Sequence, residues 1–187
     1  MGHNNFGRIP FKTITDSLFP NLISFGQGCF DENTLLTSVN LTKLERIKPI
    51  TEETIPTVGI DDNYELDDYP IYISEQSPFA NCTSLTSITL PALLEFDITL
   101  DGCTALTTID LTAVTRITTF ETTSLANLVI RNETPPALNV RTDLGTHINF
   151  PETINIYVPN PSLYENLDNW SYYYSLGCIK PLSEYAG

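Results

Sequence analysis

Twice in succession this chain writes the same phrase: Cys82-x-x-Leu85-x-x-Ile88-x-Leu90-x-x-Leu93-x-x-Phe96, then Cys103-x-x-Leu106-x-x-Ile109-x-Leu111-x-x-Val114-x-x-Ile117. The copies start 21 residues apart, a period at which each copy is one coil of a solenoid. Within a coil, Ile88 and Leu90 alternate with Ser87 and Thr89, so a short strand turns one face inward and the other to solvent. One coil cannot hold itself together. Its five or six aliphatic side chains contribute about 2 kcal/mol each when buried, against about 1.5 kcal/mol for every residue that is ordered. Coils must therefore stack, pairing strands edge to edge and running Leu, Ile and Val in continuous inner columns.

The pattern extends beyond the doubled phrase. Upstream stands Leu36-x-x-Val39-x-Leu41-x-x-Leu44-x-x-Ile47, with Asn33 in the place of Cys, and downstream Leu125-x-x-Leu128-x-Ile130 begins a further copy. Leu36, Leu85, Leu106 and Leu125 are separated by 49, 21 and 19 residues, so the first gap holds an insertion or a degenerate coil at about 49–76. The expected fold is a β-rich solenoid of leucine-rich-repeat coils with caps at both ends, one inserted acidic hairpin and a short helix near the C-terminus. It divides a single domain, 1–187, into an N-terminal cap (1–32), repeats (33–131) and a C-terminal cap (132–187).

The run Phe79-Ala80-Asn81-Cys82-Thr83-Ser84-Leu85-Thr86-Ser87-Ile88-Thr89-Leu90-Pro91 resembles the repeat of the bacterial surface-antigen (BspA-like) leucine-rich-repeat family. The closing segment, with Ile156-Tyr157-Val158-Pro159, Asn169-Trp170 and Ile179-Lys180-Pro181-Leu182, is similar to the end of such proteins in gut Bacteroidetes and their phages. The resemblance implies a non-enzymatic adhesion or interaction protein and carries over no catalytic residue. Family members are exported by a signal peptide, whereas the start at Met1 has no long apolar run. This favours a phage virion protein over a cell-surface adhesin, with a virion or extracellular location expected for either; a glycan-binding or glycoside-acting protein is the third alternative.

Charge narrows the partners. The net charge is −14, and between Lys48 and Arg116 there are twelve Asp and Glu residues and no Lys or Arg. Nucleic acid and anionic membranes both demand a basic patch, so neither is an expected partner. No run of 18 apolar residues exists to insert in a bilayer. The expected partners are other proteins, virion components or a host surface, with glycans as a further class.

Residues that suggest chemistry are sparse. Cys82 and Cys103 hold one repeat position and read as buried thiols, and Cys29 and Cys178 lie far from them without Cys-x-x-Cys spacing. Only His3 and His147 are available to a metal or a catalytic triad. The run Asp61-Asp62-Asn63-Tyr64-Glu65-Leu66-Asp67-Asp68 places oxygens at alternate positions, but Leu66 and Tyr72 stand where a calcium loop of the EF-hand type needs Gly and Glu. No catalytic, metal or cofactor site is expected. The candidates for partner binding are the outward repeat residues Ser87, Thr89, Thr108 and Asp110, and Tyr64, Tyr69 and Tyr72 of the inserted hairpin. Aligning the copies puts Ser38, Ser87, Thr108 and Asn127 in one outward column and Asn40, Thr89, Asp110 and Val129 in the next.

Two terminal segments read as caps. Phe6, Ile9, Phe11, Ile14, Leu18, Phe19, Leu22 and Ile23 form an apolar lead-in. At the other end, Asn160-Pro161 reads as a helix start, with a short helix through Leu163, Tyr164 and Leu167 that sets Trp170 against the last coil.

Overall fold

The structure, a computed structural model, describes residues 9–26, 29–48, 78–96, 98, 100–118, 124–139 and 150–186. These residues form a parallel β-solenoid of about five turns with one short helix near the C-terminus. Each coil carries two short strands. The first set, β1 (Thr13–Thr15), β3 (Ser38–Asn40), β5 (Ser87–Leu90), β7 (Thr108–Leu111), β9 (Asn127–Ile130), β11 (Asn155–Val158) and β12 (Ile179–Pro181), makes a seven-stranded sheet in that order. The second set makes two smaller sheets, β2 (Ser24–Gly26) with β4 (Arg46–Lys48), and β6 (Glu95–Phe96), β8 (Arg116–Ile117) and β10 (Ala137–Leu138). All the pairings are parallel.

The inner columns are those that the alternation demands. Ile14, Val39, Ile88, Ile109, Leu128, Ile156 and Ile179 stand in register, all buried. Phe25 pairs with Ile47, and Phe96 with Ile117 and then Leu138, along the second face. Between these faces the core is apolar throughout; Asn33 is the one buried polar residue among those described.

Polar side chains reinforce the stack at fixed coil positions. Thr37, Thr86 and Thr107 each send both the backbone N–H and the Oγ1 hydroxyl to a carbonyl of the preceding coil, those of Lys12, Thr37 and Thr86. The repeat cysteines act in the same way: Cys82 Sγ donates to the Phe30 carbonyl at 3.2 Å and Cys103 Sγ to that of Phe79 at 3.0 Å. Asn33 substitutes for a cysteine by donating its Nδ2 to the Ile9 carbonyl. All four cysteines are buried and none forms a disulfide.

Burial pushes the Cys82 thiol up from 9.0 to about 12 and the Cys103 thiol to about 11. Above pH 9 the unfolded chain therefore releases protons that the folded chain keeps, and stability contributed by the neutral thiols is lost as pH rises from about 9 to about 11 for Cys103 and about 12 for Cys82. Urea midpoints at pH 8, 9 and 10 are expected to fall, and to fall less in a Cys82→Ala/Cys103→Ala variant. Ellman's reagent at pH 8 should leave both thiols unmodified until urea opens the coils; rapid modification of the native chain would contradict the burial.

One alternative left open by the sequence is decided, and two features differ from the sequence expectation. First, β3 pairs directly with β5, Val39 against Ile88, so no coil intervenes in the sheet. The 49-residue gap is one 21-residue coil plus an insertion of 28 residues (49 − 21). The expected hairpin of that insertion, with Tyr64, Tyr69 and Tyr72, lies outside the described residues, as do His3 and His147.

Second, the segment read as an N-terminal cap contains β1 and β2, paired in register with β3 and β4. It is the first coil. Its 25-residue distance from β1 to β3 and its aromatic core hid the period. Phe11, Phe19, Phe25 and Phe30 take the place of the leucines, and Phe30 stacks on Phe79 of the next coil with ring centroids 5.9 Å apart.

Third, the predicted helix is split. Pro161–Tyr164 forms one 3-10 turn, in which the Asn160 side chain accepts from Ser162 Oγ and caps nothing. The α-helix α1 (Trp170–Ser175) follows Asn169, whose φ of 64° redirects the chain. Six residues rich in aromatics have little helix preference of their own; packing holds them. Trp170 lies on Phe150 and meets Tyr164 edge-on, with centroids 6.1 and 5.3 Å away. Tyr173 Oη accepts from Phe150 N and donates to its carbonyl.

Candidate interaction face

The outer surface of the seven-stranded sheet presents two side-chain columns set by the strand registers. Thr13, Ser38, Ser87, Thr108, Asn127 and Asn155 form one. Thr15, Asn40, Thr89, Asp110, Val129, Tyr157 and Lys180 form the other. The four candidates Ser87, Thr89, Thr108 and Asp110 fall on adjacent strands, Ser87 beside Thr108 and Thr89 beside Asp110, all partly exposed. Both columns match the alignment of the copies. Strands in such a sheet lie about 4.8 Å apart, so hydroxyl and amide groups recur along the face at that interval. Ordering them costs little, because β-branched and short side chains have few rotamers to lose.

Two aspects of this face escaped the sequence alignment. Asp110 is not a free acceptor: Arg131 donates Nε to its Oδ1 at 2.9 Å and a terminal nitrogen to its Oδ2 at 2.7 Å. These hydrogen bonds raise the Arg131 pKa further, keeping the guanidinium charged. Arg131 lies two positions beyond Val129, the partner of Asp110, so the pair is a diagonal contact across neighbouring strands.

The columns also continue onto the C-terminal coil, where Tyr157 and Lys180 replace small polar groups. The 182–186 tail brings Tyr185 against Tyr157, with ring centroids 5.1 Å apart and planes at 47°. Beside them Val129 is fully buried yet stands apart from the core cluster. The visible signal was the alternation Asn155-Ile156-Tyr157-Val158, which aligns Tyr157 with Val129.

Elsewhere, a cleft of about 420 Å³ lies between β10 and the C-terminal cap, lined by Pro135, Ala137, Asn139, Leu167 and Asp168. The cap side chains close the edge of β10: Asn169 Nδ2 donates to the Leu138 carbonyl and Trp170 Nε1 to that of Pro136, each at 2.7 Å. The C-terminal edge of the large sheet is guarded differently. Its last strand, β12, contains Lys180 and Pro181, residues that discourage further strand pairing.

Among the described residues no group of three His, Cys, Asp or Glu side chains is placed to hold a metal ion, and no helix is long and apolar enough to cross a membrane. The chain was compared with protein-family models, curated proteins and solved structures, and none of the three comparisons finds a match.

Proposed function

We propose that this chain is a non-catalytic interaction protein of the BspA-like leucine-rich-repeat type, acting as a virion-associated structural or host-recognition component of a phage. The observation that carries the interaction reading is the outer sheet face, where Ser87, Thr89, Thr108 and their register mates on β3 and β7 form polar columns on a rigid support. A solenoid offers an extended surface of this kind to a macromolecular partner. The 21-residue period and the resemblance around Cys82 support the family and the phage setting. The same resemblance also favours a second reading, a bacterial cell-surface adhesin.

Mass spectrometry of purified phage particles is expected to find the chain; its absence from them overturns the virion assignment, and its recovery from the bacterial surface instead establishes the adhesin. A Thr89→Arg/Thr108→Arg variant places two bulky charges on the face without touching the core. It should lower incorporation into particles, or attachment to the host surface, at least tenfold. Unchanged incorporation and attachment in a folded variant would remove the face from the function.

A further inference from the structure

The C-terminal part of the outer face differs from the rest in shape as well as chemistry. Along the hydroxyl columns the surface is flat. At Tyr157 it rises, because Tyr185 from the tail packs on that ring at 47° and both remain partly exposed. One strand step beyond Val129 stands the Asp110–Arg131 pair, held in a planar, two-pronged geometry. On the other side of Tyr157 is Lys180. From Asp110 to Lys180 is three strand steps, roughly 14 Å at the usual spacing.

We propose that Tyr157, Tyr185 and the Asp110–Arg131 pair form a binding site for a neutral oligosaccharide. The class of ligand follows from three properties. Tyrosine rings present an apolar face with a polar tip, which suits a sugar ring whose carbon–hydrogen face is apolar and whose rim carries hydroxyls. The carboxylate and the guanidinium are fixed in place by each other, so they offer both acceptors and donors to those hydroxyls with little further ordering cost. Their charges cancel locally, and the chain is −14 overall, so among the described residues of this patch Lys180 alone offers an anionic ligand a cation outside that pair. Asn127 and Asn155, partly buried in the neighbouring column, supply amide groups at the edge.

This site rests on the interaction reading above and specifies what that face holds at one end. Its test is a glycan array of neutral and anionic oligosaccharides, followed by calorimetric titration of any glycan that binds. The wild-type chain is expected to bind at least one neutral oligosaccharide. Tyr157→Ala and Asp110→Ala should each weaken that binding at least tenfold, and Thr89→Arg at the far side of the pair should weaken it less. Tyr185→Ala guards against a folding artefact, because Tyr185 belongs to the tail and to no strand; it too should weaken binding several-fold.

No binding of neutral oligosaccharides at millimolar concentration overturns the site, as does binding that survives both tyrosine substitutions, or a preference for anionic glycans. The two proposals fail separately. A chain found in particles but silent on the array loses the sugar site and keeps its interaction role. A chain that binds sugar through Tyr157 but is missing from particles keeps the site and loses the virion assignment.

Discussion

Replacing Gly102 with alanine is expected to destabilise the solenoid by about 3 kcal/mol or more, from a left-handed backbone penalty of about 1–2 kcal/mol and a steric cost of similar size. Gly102 has φ of 72°, and a Cβ built on it would lie 2.3 Å from Asn81 Oδ1 and 2.9 Å from Asn81 Cα. The side chain of Asn81 can rotate away; its Cα cannot. Asn81 is the residue at the same corner of the preceding coil, and it too has positive φ, 59°, as does Glu32 at 55° one coil earlier. These corners stack closely, and Asn81 N donates to the Asp101 carbonyl at 2.7 Å. The clash therefore pushes two coils apart, and a solenoid derives its stability from such nearest-neighbour contacts.

Gly177 provides the control. Its φ is 73°, but a Cβ there meets nothing within 4 Å, so Gly177→Ala should cost only the backbone penalty, about 1–2 kcal/mol. Urea unfolding followed by circular dichroism compares the two. Equal losses would mean that the corner contact contributes nothing.

The second large effect is expected at the cap. Trp170→Ala should cost about 3–5 kcal/mol, because the indole is 1% exposed, packs on Phe150 and Tyr164, and donates to the Pro136 carbonyl at 2.7 Å. Trp170→Phe retains much of the packing but leaves that carbonyl unpaired, and should cost about 1–3 kcal/mol. Trp170 is the chain's one tryptophan, so fluorescence of the unaltered protein reports on the cap alone, and circular dichroism on the coils. If the cap seals the stack, both signals change at one urea concentration. A cap that melts first would show Trp170 to be peripheral to the coils, and Trp170→Ala would then leave the circular dichroism midpoint in place.

Much of this molecule was legible in one dimension. The register positions Leu85 and Leu106, with their alternating neighbours, predicted the strands and the sharing of outward columns by Ser87 with Thr108 and Thr89 with Asp110. Burial of Cys82 and Cys103 followed from their repeat position. The first coil was missed because phenylalanines occupy its core and its spacing is longer; periodicity cannot be recognised where both composition and length change. The Arg131–Asp110 pair was missed for a different reason. Its members are 21 residues apart, one nominal period, but the local coil has shortened to 19, so the alignment set Val129 beside Asp110 and left Arg131 out.

By itself, the sequence determined the stacking unit: its period, the face that turns inward and the residues that follow one another up each column. Those properties repeat within a single coil, and burial of the aliphatic side chains enforces them. Only the tertiary structure decided that the gap before Pro78 is an insertion and not a coil, that the helix begins at Trp170, and that Tyr185 returns to Tyr157. These depend on contacts between non-equivalent residues, such as Trp170 with Pro136 and Asn169 with Leu138, separated by 34 and 31 positions. No local pattern encodes such pairs, because they form only once the stacked coils have brought their carbonyls and rings into reach.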